Sequence, residues 1–160
     1  MLASSKYIPS WLLVSAFMVF LMIIIGGITR LTGSGLSMVE WRPLFGFLPP
    51  MSDLEWTRVF ELYKLSPEYI LKNNGIELSE FKKIFFWEYF HRLWGRLIGI
   101  VFIIPFFIFL FFKQLPKQIS NKIFIILALG SLQGVIGWWM VKSGLVNDPS
   151  VSQYRLAIHL

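Results

Sequence analysis

The sequence predicts an all-α fold: a polytopic transmembrane four-helix bundle, its fourth helix truncated, with a helical extracytoplasmic loop. Three observations carry this. Of the 160 residues 56% are hydrophobic and 18% aromatic, and the mean hydropathy is positive, a composition too apolar for an ordinary soluble domain. Apolar runs at about 11–28, 85–112 and 123–141 are each long enough to cross the hydrocarbon layer, and a fourth opens at 151 and is incomplete at 160. The formal charge is +6, yet the basic residues cluster beside the apolar runs instead of forming a soluble basic face, which speaks for membrane orientation and against nucleic acid as a partner.

The elements follow in order. Residues 1–10 carry Lys6 and no acid, and the run from Trp11 to Ile28 is long for a signal peptide and lacks a small-x-small cleavage site. An Arg-rich, Ser-rich presequence is also missing, so the expected location is a bacterial inner membrane, multi-pass. The glycines of GGITRLTGSGLSMVEWRP, residues 26–43, do not form a phosphate loop: there is no Gly-Lys-Ser/Thr ending, and the segment follows a span instead of a strand. A tight turn at the membrane surface accounts for them, with Arg30, Glu40, Trp41 and Arg42 at the interface.

Residues 49–83 are polar and read as a small helical cap, either a lid or docking surface or a connector. Ser52 with Glu55 makes a capping box, Ser66-Pro67-Glu68 opens a second helix, and Asn73-Asn74-Gly75 closes it. Ser79 is placed to cap the next helix, about 33 residues and roughly 50 Å long, with a kink expected at Pro105. Lys113, Lys117 and Lys122 make the following loop cytoplasmic, and the amino terminus with it. The third span carries Gln133 among Gly130, Ser131, Gly134 and Gly137, small residues that let helices approach. Asn147-Asp148-Pro149 turns the chain, and Ser150 or Ser152 caps the last helix.

The chemistry concentrates in EYFHRLWGR, residues 88–96, at the mouth of the second span. Ionisable groups are costly at membrane depth unless paired or liganding something. Glu88, His91 and Gly95 share one helix face, and the missing side chain at Gly95 leaves a gap for a flat ligand. With no cysteine, a metal would have to come through His or carboxylate ligands or inside a prosthetic group. The chain has two histidines. The second and fourth spans run in the same direction, which puts His91 about 9 Å and His159 about 12 Å deep. Imidazoles facing each other at matched depth are the usual way a bundle holds a heme iron, with Arg92, Arg96 and Arg155 at the polar mouth. The blander reading makes both histidines interfacial hydrogen-bonders, the arginines lipid contacts, and Glu88 an i, i+4 ion pair with Arg92. A faint repeat runs from Gly26-Gly27 through Ser34-Gly35-Leu36 to one histidine helix, and from Gly137 through Ser143-Gly144-Leu145 to the other.

On GGITRLTGSGLSMVEW (26–41), EYFHRLWGR (88–96), LQGVIGWWMVKSGL (132–145) and YRLAIHL (154–160), the chain resembles the heme A synthase family, membrane enzymes of cytochrome oxidase assembly. The resemblance covers residues 1–160 as the amino-terminal half of the family's domain, in the branch of mitochondria and related bacteria. It implies oxidation of the methyl substituent of heme O to the formyl group of heme A, through successive hydroxylations and loss of water. By position it makes His91 and His159 the axial ligands of the substrate heme and Glu88 the catalytic carboxylate. Gly95, Arg92, Arg96 and Arg155 are expected to contact the heme, the arginines as propionate partners by their mouth position. A heme b cofactor is expected in the carboxy-terminal half, outside these 160 residues. Further expected partners are the lipid bilayer, an electron donor the sequence does not identify, heme O synthase, cytochrome oxidase assembly proteins and a second copy of the chain. The alternative is a non-catalytic bis-histidine heme-binding membrane cytochrome, which gives Glu88 no chemical task.

Overall fold

The computed structural model describes residues 6–40, 47–145 and 149–160. Among them the order is α1 (Ile8–Leu31), α2 (Asp53–Lys64), α3 (Pro67–Leu71), α4 (Leu78–Phe111), α5 (Lys117–Gly144) and α6 (Gln153–His159). Helices α1, α4 and α5 are long and apolar enough to cross a membrane. Helix α6 is short and packs on α5.

Helices α1 and α4 run antiparallel along their length. The Trp94 indole donates to the Met18 carbonyl at 3.0 Å, and the Thr29 hydroxyl reaches the Trp87 carbonyl at 3.3 Å. Pro105 sits inside α4, where it has no N–H for the carbonyl four residues back. That carbonyl belongs to Val101, and the Trp11 indole of α1 donates to it at 2.9 Å. The neighbouring helix thus supplies the bond that proline removes, as a membrane interior requires. Trp11 belongs to a buried cluster with Ile8, Phe106, Leu115 and Ile123 at the end of the bundle opposite the cap. The apolar side chains left exposed, such as Leu13, Phe17, Phe107 and Phe124, suit a surface that meets hydrocarbon.

At the α4–α5 hairpin the chain turns with Lys113 at φ 53°, letting Gln114 N donate to Phe109 O at 2.9 Å. At the end of α1, Gly33 takes φ 64°, which glycine adopts without steric cost, and Ser34 N donates back to Thr29 O at 3.0 Å. At the cap, Ser52 accepts from Glu55 N at 3.2 Å and Ser66 from Tyr69 N at 3.2 Å, as expected. The Glu55 carboxylate, however, accepts from Met51 N instead of closing the box on Ser52. The cap joins α4 through an aromatic cluster of Phe60, Tyr63, Phe81 and Phe85.

Several boundaries differ from the sequence expectation. Helix α1 extends three residues beyond each end of 11–28, and α5 begins at Lys117, ahead of the apolar run. Helix α4 starts from Glu77 and not Ser79, because Glu77 N donates to the Glu80 carboxylate at 3.2 Å in a reciprocal capping box. Ser152 stands at the N-cap of α6 without a side-chain cap bond. A methyl group added at Gly130 or Gly134 would meet nothing within 4 Å, so neither serves a helix contact among the described residues. The reason is reach: α6 draws level with Gly137, and the other two lie deeper along α5. Trp41, Arg42 and the Asn147-Asp148 part of the turn lie outside the described residues.

Candidate functional site

Glu88 is 3% exposed, so its carboxylate depends on protein partners. One oxygen accepts from Arg92 Nη2 at 2.6 Å across one turn of α4. The other accepts from Ser37 Oγ and from Met38 N, both at 2.7 Å. Arg92 reaches the Met38 carbonyl as well, at 3.4 Å. These charge-assisted bonds tie the segment after α1 to α4. The segment also folds back on itself: Ser37 Oγ, its proton given to Glu88, lies 3.1 Å from Ser34 O, Ser37 N donates to the same carbonyl at 3.4 Å, and the hydroxyls of Thr32 and Ser34 lie 2.6 Å apart.

Each histidine lies against a glycine of the preceding long helix. A methyl group on Gly26 of α1 would stand 3.4 Å from His91 Nε2, and one on Gly137 of α5 would stand 2.8 Å from His159 Cε1. The repeat visible in the sequence is therefore a contact in space, glycine to imidazole, made twice. His159 Nδ1 is buried with no hydrogen-bond partner among the described residues.

The other expected residues are less unified. Gly95 leaves no open gap: a methyl group there would lie 3.4 Å from the Cε of Met22, a flexible thioether that fills the space. Arg92 and Arg96 line a cavity of about 270 Å³ beneath the cap, together with Glu40, Arg58, Met51 and Phe85. Arg96 also lies over the Phe47 ring, 5.4 Å from its centroid. Arg155 does not line this cavity. It donates to the Trp139 carbonyl at 2.9 Å and stacks over that residue's ring at 4.2 Å.

Two features went unread in the sequence. The Glu40 carboxylate takes a bidentate pair from Arg58, at 2.9 and 3.0 Å, joining the segment after α1 to α2. Glu68, in the first turn of α3, is buried and accepts from the Tyr63 hydroxyl at 3.0 Å, which in turn accepts from Asn73 Nδ2 at 2.7 Å. Burial pushes the Glu68 carboxyl up to about 7, with the Tyr63 bond opposing and the charge of Glu88 adding to the rise. The Tyr63 phenol is likewise raised, chiefly by burial. An acid preceded by Ser-Pro looks like an ordinary helix start, so nothing local distinguished Glu68.

Among the described residues no group of three His, Cys, Asp or Glu is gathered for a metal ion. Two imidazoles are each seated on a glycine, and His159 Nδ1 is a buried ring nitrogen without a hydrogen-bond partner among the described residues. Fold and site together define a polytopic helical membrane protein with a histidine pair beneath an acid- and arginine-bearing mouth. The family model described as cytochrome oxidase assembly protein, COX15-CtaA, matches residues 9–160, and the chain belongs to that family. Similar curated proteins named heme A synthase come from Nitrosospira multiformis (54% identity over 99% of this chain and 44% of the relative), Rhodospirillum centenum (53%, 99% and 42%) and Flavobacterium psychrophilum (50%, 98% and 47%). The chain thus spans less than half the length of these relatives. No solved structure matches it.

Proposed function

We propose that residues 1–160 form the amino-terminal, substrate-binding half of a heme A synthase, with heme O held between α4 and α6 and its methyl substituent converted to formyl. The observation that supports this most is the doubled seat: His91 on Gly26 and His159 on Gly137, with His159 Nδ1 buried and without a partner among the described residues. His91 and His159 hold the iron. Arg92 and Arg96, at the cavity beneath the cap, meet the propionates, with Arg155 contributing from α6. Gly95 admits the close packing of Met22 beside the ring edge. Glu88, one turn from His91 and held by its ion pair with Arg92, is the carboxylate that handles protons near the substrate. Conversion of the methyl to the formyl group would require an oxidant and a source of oxygen from outside these residues, which bind and orient the substrate and exclude water.

The cap and the histidine mouths face the extracytoplasmic side of a bacterial inner membrane, with the amino terminus and the lysine-rich α4–α5 loop cytoplasmic. Heme b belongs to the carboxy-terminal half of the family's domain. Heme O synthase, other assembly proteins of cytochrome oxidase and a second copy of the chain are the partners this reading requires or allows. One observation favours the second reading, a bis-histidine electron carrier: both oxygens of Glu88 are engaged inside the protein.

The test is to express the chain in membranes supplied with heme O and to extract and separate the hemes, with His91→Ala and His159→Ala beside it. Heme A or its hydroxylated precursor, absent from the variants, establishes chemistry in this half. Enriched heme O without product makes it a binding half that needs the rest of the domain. No enrichment over the variants overturns the axial-ligand assignment.

A further inference from the structure

Helices α1 and α4 pack on one another, as do α5 and α6, and His91 and His159 stand on different pairs. The spacing of the two imidazoles is therefore set by whatever joins the pairs. At the end of the bundle near the cap, the join is narrow and well defined. Leu36, 3% exposed, projects from the segment after α1 onto Gly144, the last residue of α5. Both of its terminal methyl carbons lie 2.8 Å from where a Gly144 Cβ would sit, and the Ser150 carbonyl lies 3.2 Å from the same point. Only a glycine admits that fit. Beyond it, Lys72 Nζ donates to the Pro149 carbonyl at 2.8 Å, so the cap holds the approach to α6 from the other side.

Leu36 is itself held firmly. Its neighbour Ser37 and the Met38 amide both bond one oxygen of Glu88, whose other oxygen is paired with Arg92. A buried carboxylate on the His91 helix thus fixes the loop whose leucine is seated on the helix leading to His159.

We propose that Leu36 and Gly144 form a knob-and-socket joint, anchored by Glu88, that sets the distance between His91 and His159; Leu36 and Gly144 are positioning residues for the heme. This rests on the function proposed above for the ligand, but the joint can be read without it. Glu88 then has a task beside any proton handling: it holds the two histidine-bearing pairs in register. Sequence spacing alone would assign Glu88 only to its helix neighbour Arg92.

The chain has no cysteine, so single cysteines can be introduced cleanly. Phe86→Cys on α4 and Tyr154→Cys on α6, both at exposed positions, carry spin labels whose separation is measured in the membrane-reconstituted full chain by pulsed electron resonance. Gly144→Ala, which forces a contact from 2.8 Å toward ordinary packing distance, is expected to shift the label separation by roughly 1 Å or more. The same substitution in chain loaded with heme O is expected to cause loss of the six-coordinate low-spin absorption and resonance signature while heme remains bound. Leu36→Ala/Gly144→Ala, where the socket is filled but the knob removed, should regain both the separation and the signature. The double variant also reports if Gly144→Ala alone fails to accumulate, since its recovery of the fold shows that the clash is with Leu36.

An unchanged separation in Gly144→Ala overturns the joint, and so does a double variant that recovers nothing. If the parent chain shows no low-spin heme, the proposed function fails, and the label separation still decides the joint by itself.

Discussion

Replacing Trp11 by Phe tests the most consequential repair in the bundle. Pro105 leaves the Val101 carbonyl without its helical donor, and the Trp11 indole N–H supplies the substitute at 2.9 Å. Phenylalanine keeps an aromatic ring beside Phe102 and Phe109, whose centroids lie 5.2 and 5.5 Å from that of Trp11, but it has no donor. The lost indole volume costs about 1 kcal/mol in this buried cluster. The orphaned carbonyl adds about 1–3 kcal/mol, because no water reaches it. Pro105→Ala restores an N–H at position 105 and returns the helical bond to Val101. In that background Trp11→Phe should cost only the packing portion, leaving a coupling of about 1–3 kcal/mol between the two sites. Unfolding free energies from denaturing-detergent titration of the four chains of the cycle measure it. Equal costs of Trp11→Phe with Pro105 and with Ala at that position would refute the argument that tryptophan repairs the proline.

Two other perturbations separate local from global effects. Gly137→Ala places a methyl 2.8 Å from the His159 ring and should abolish low-spin heme binding, whereas Gly26→Ala, at 3.4 Å from His91, should retain it after a shift of a few tenths of an ångström; the absorption spectra of the purified chains decide, and the reverse order would contradict the geometry. For the cap, the Glu68 carboxyl stands at about 7 against an ordinary 4.5. A raised folded-state value stabilises fully below pH 4.5 and is lost as pH rises through 7, so the cap should loosen by about 2 kcal/mol between pH 5.5 and pH 8. Amide hydrogen exchange over residues 60–81, corrected for the intrinsic rate, reads this change, and Glu68→Gln should flatten it.

The long elements were legible because their signal is one-dimensional. An uncharged run of hydrocarbon-spanning length needs no partner to be recognised, and Ser52 and Ser66 declare helix starts through bonds to amides three residues on. The Glu88–Arg92 pair was legible for the same reason, since an i, i+4 spacing defines a neighbour. The repair of Pro105 was legible as a need but not as a residue: the sequence states that Val101 lacks a donor and cannot say that a tryptophan 90 positions away supplies it.

Sequence alone therefore determined what is set within a turn or two of helix, or by composition. That covers the all-helical class, the three long apolar helices, the helical cap, the acid and arginines near His91, and the resemblance to a family whose membership the comparisons bear out. Tertiary structure decided which surfaces meet. It seated each histidine on a glycine, filled the gap at Gly95 with Met22, separated Arg155 from the cavity of Arg92 and Arg96, and drew Ser37 and Met38 to Glu88 from about fifty residues away. The physical reason is that a glycine or a buried carboxylate carries no mark of its partner in the chain. Its role is defined by whichever side chain occupies the space beside it, and that space exists only once the helices have packed.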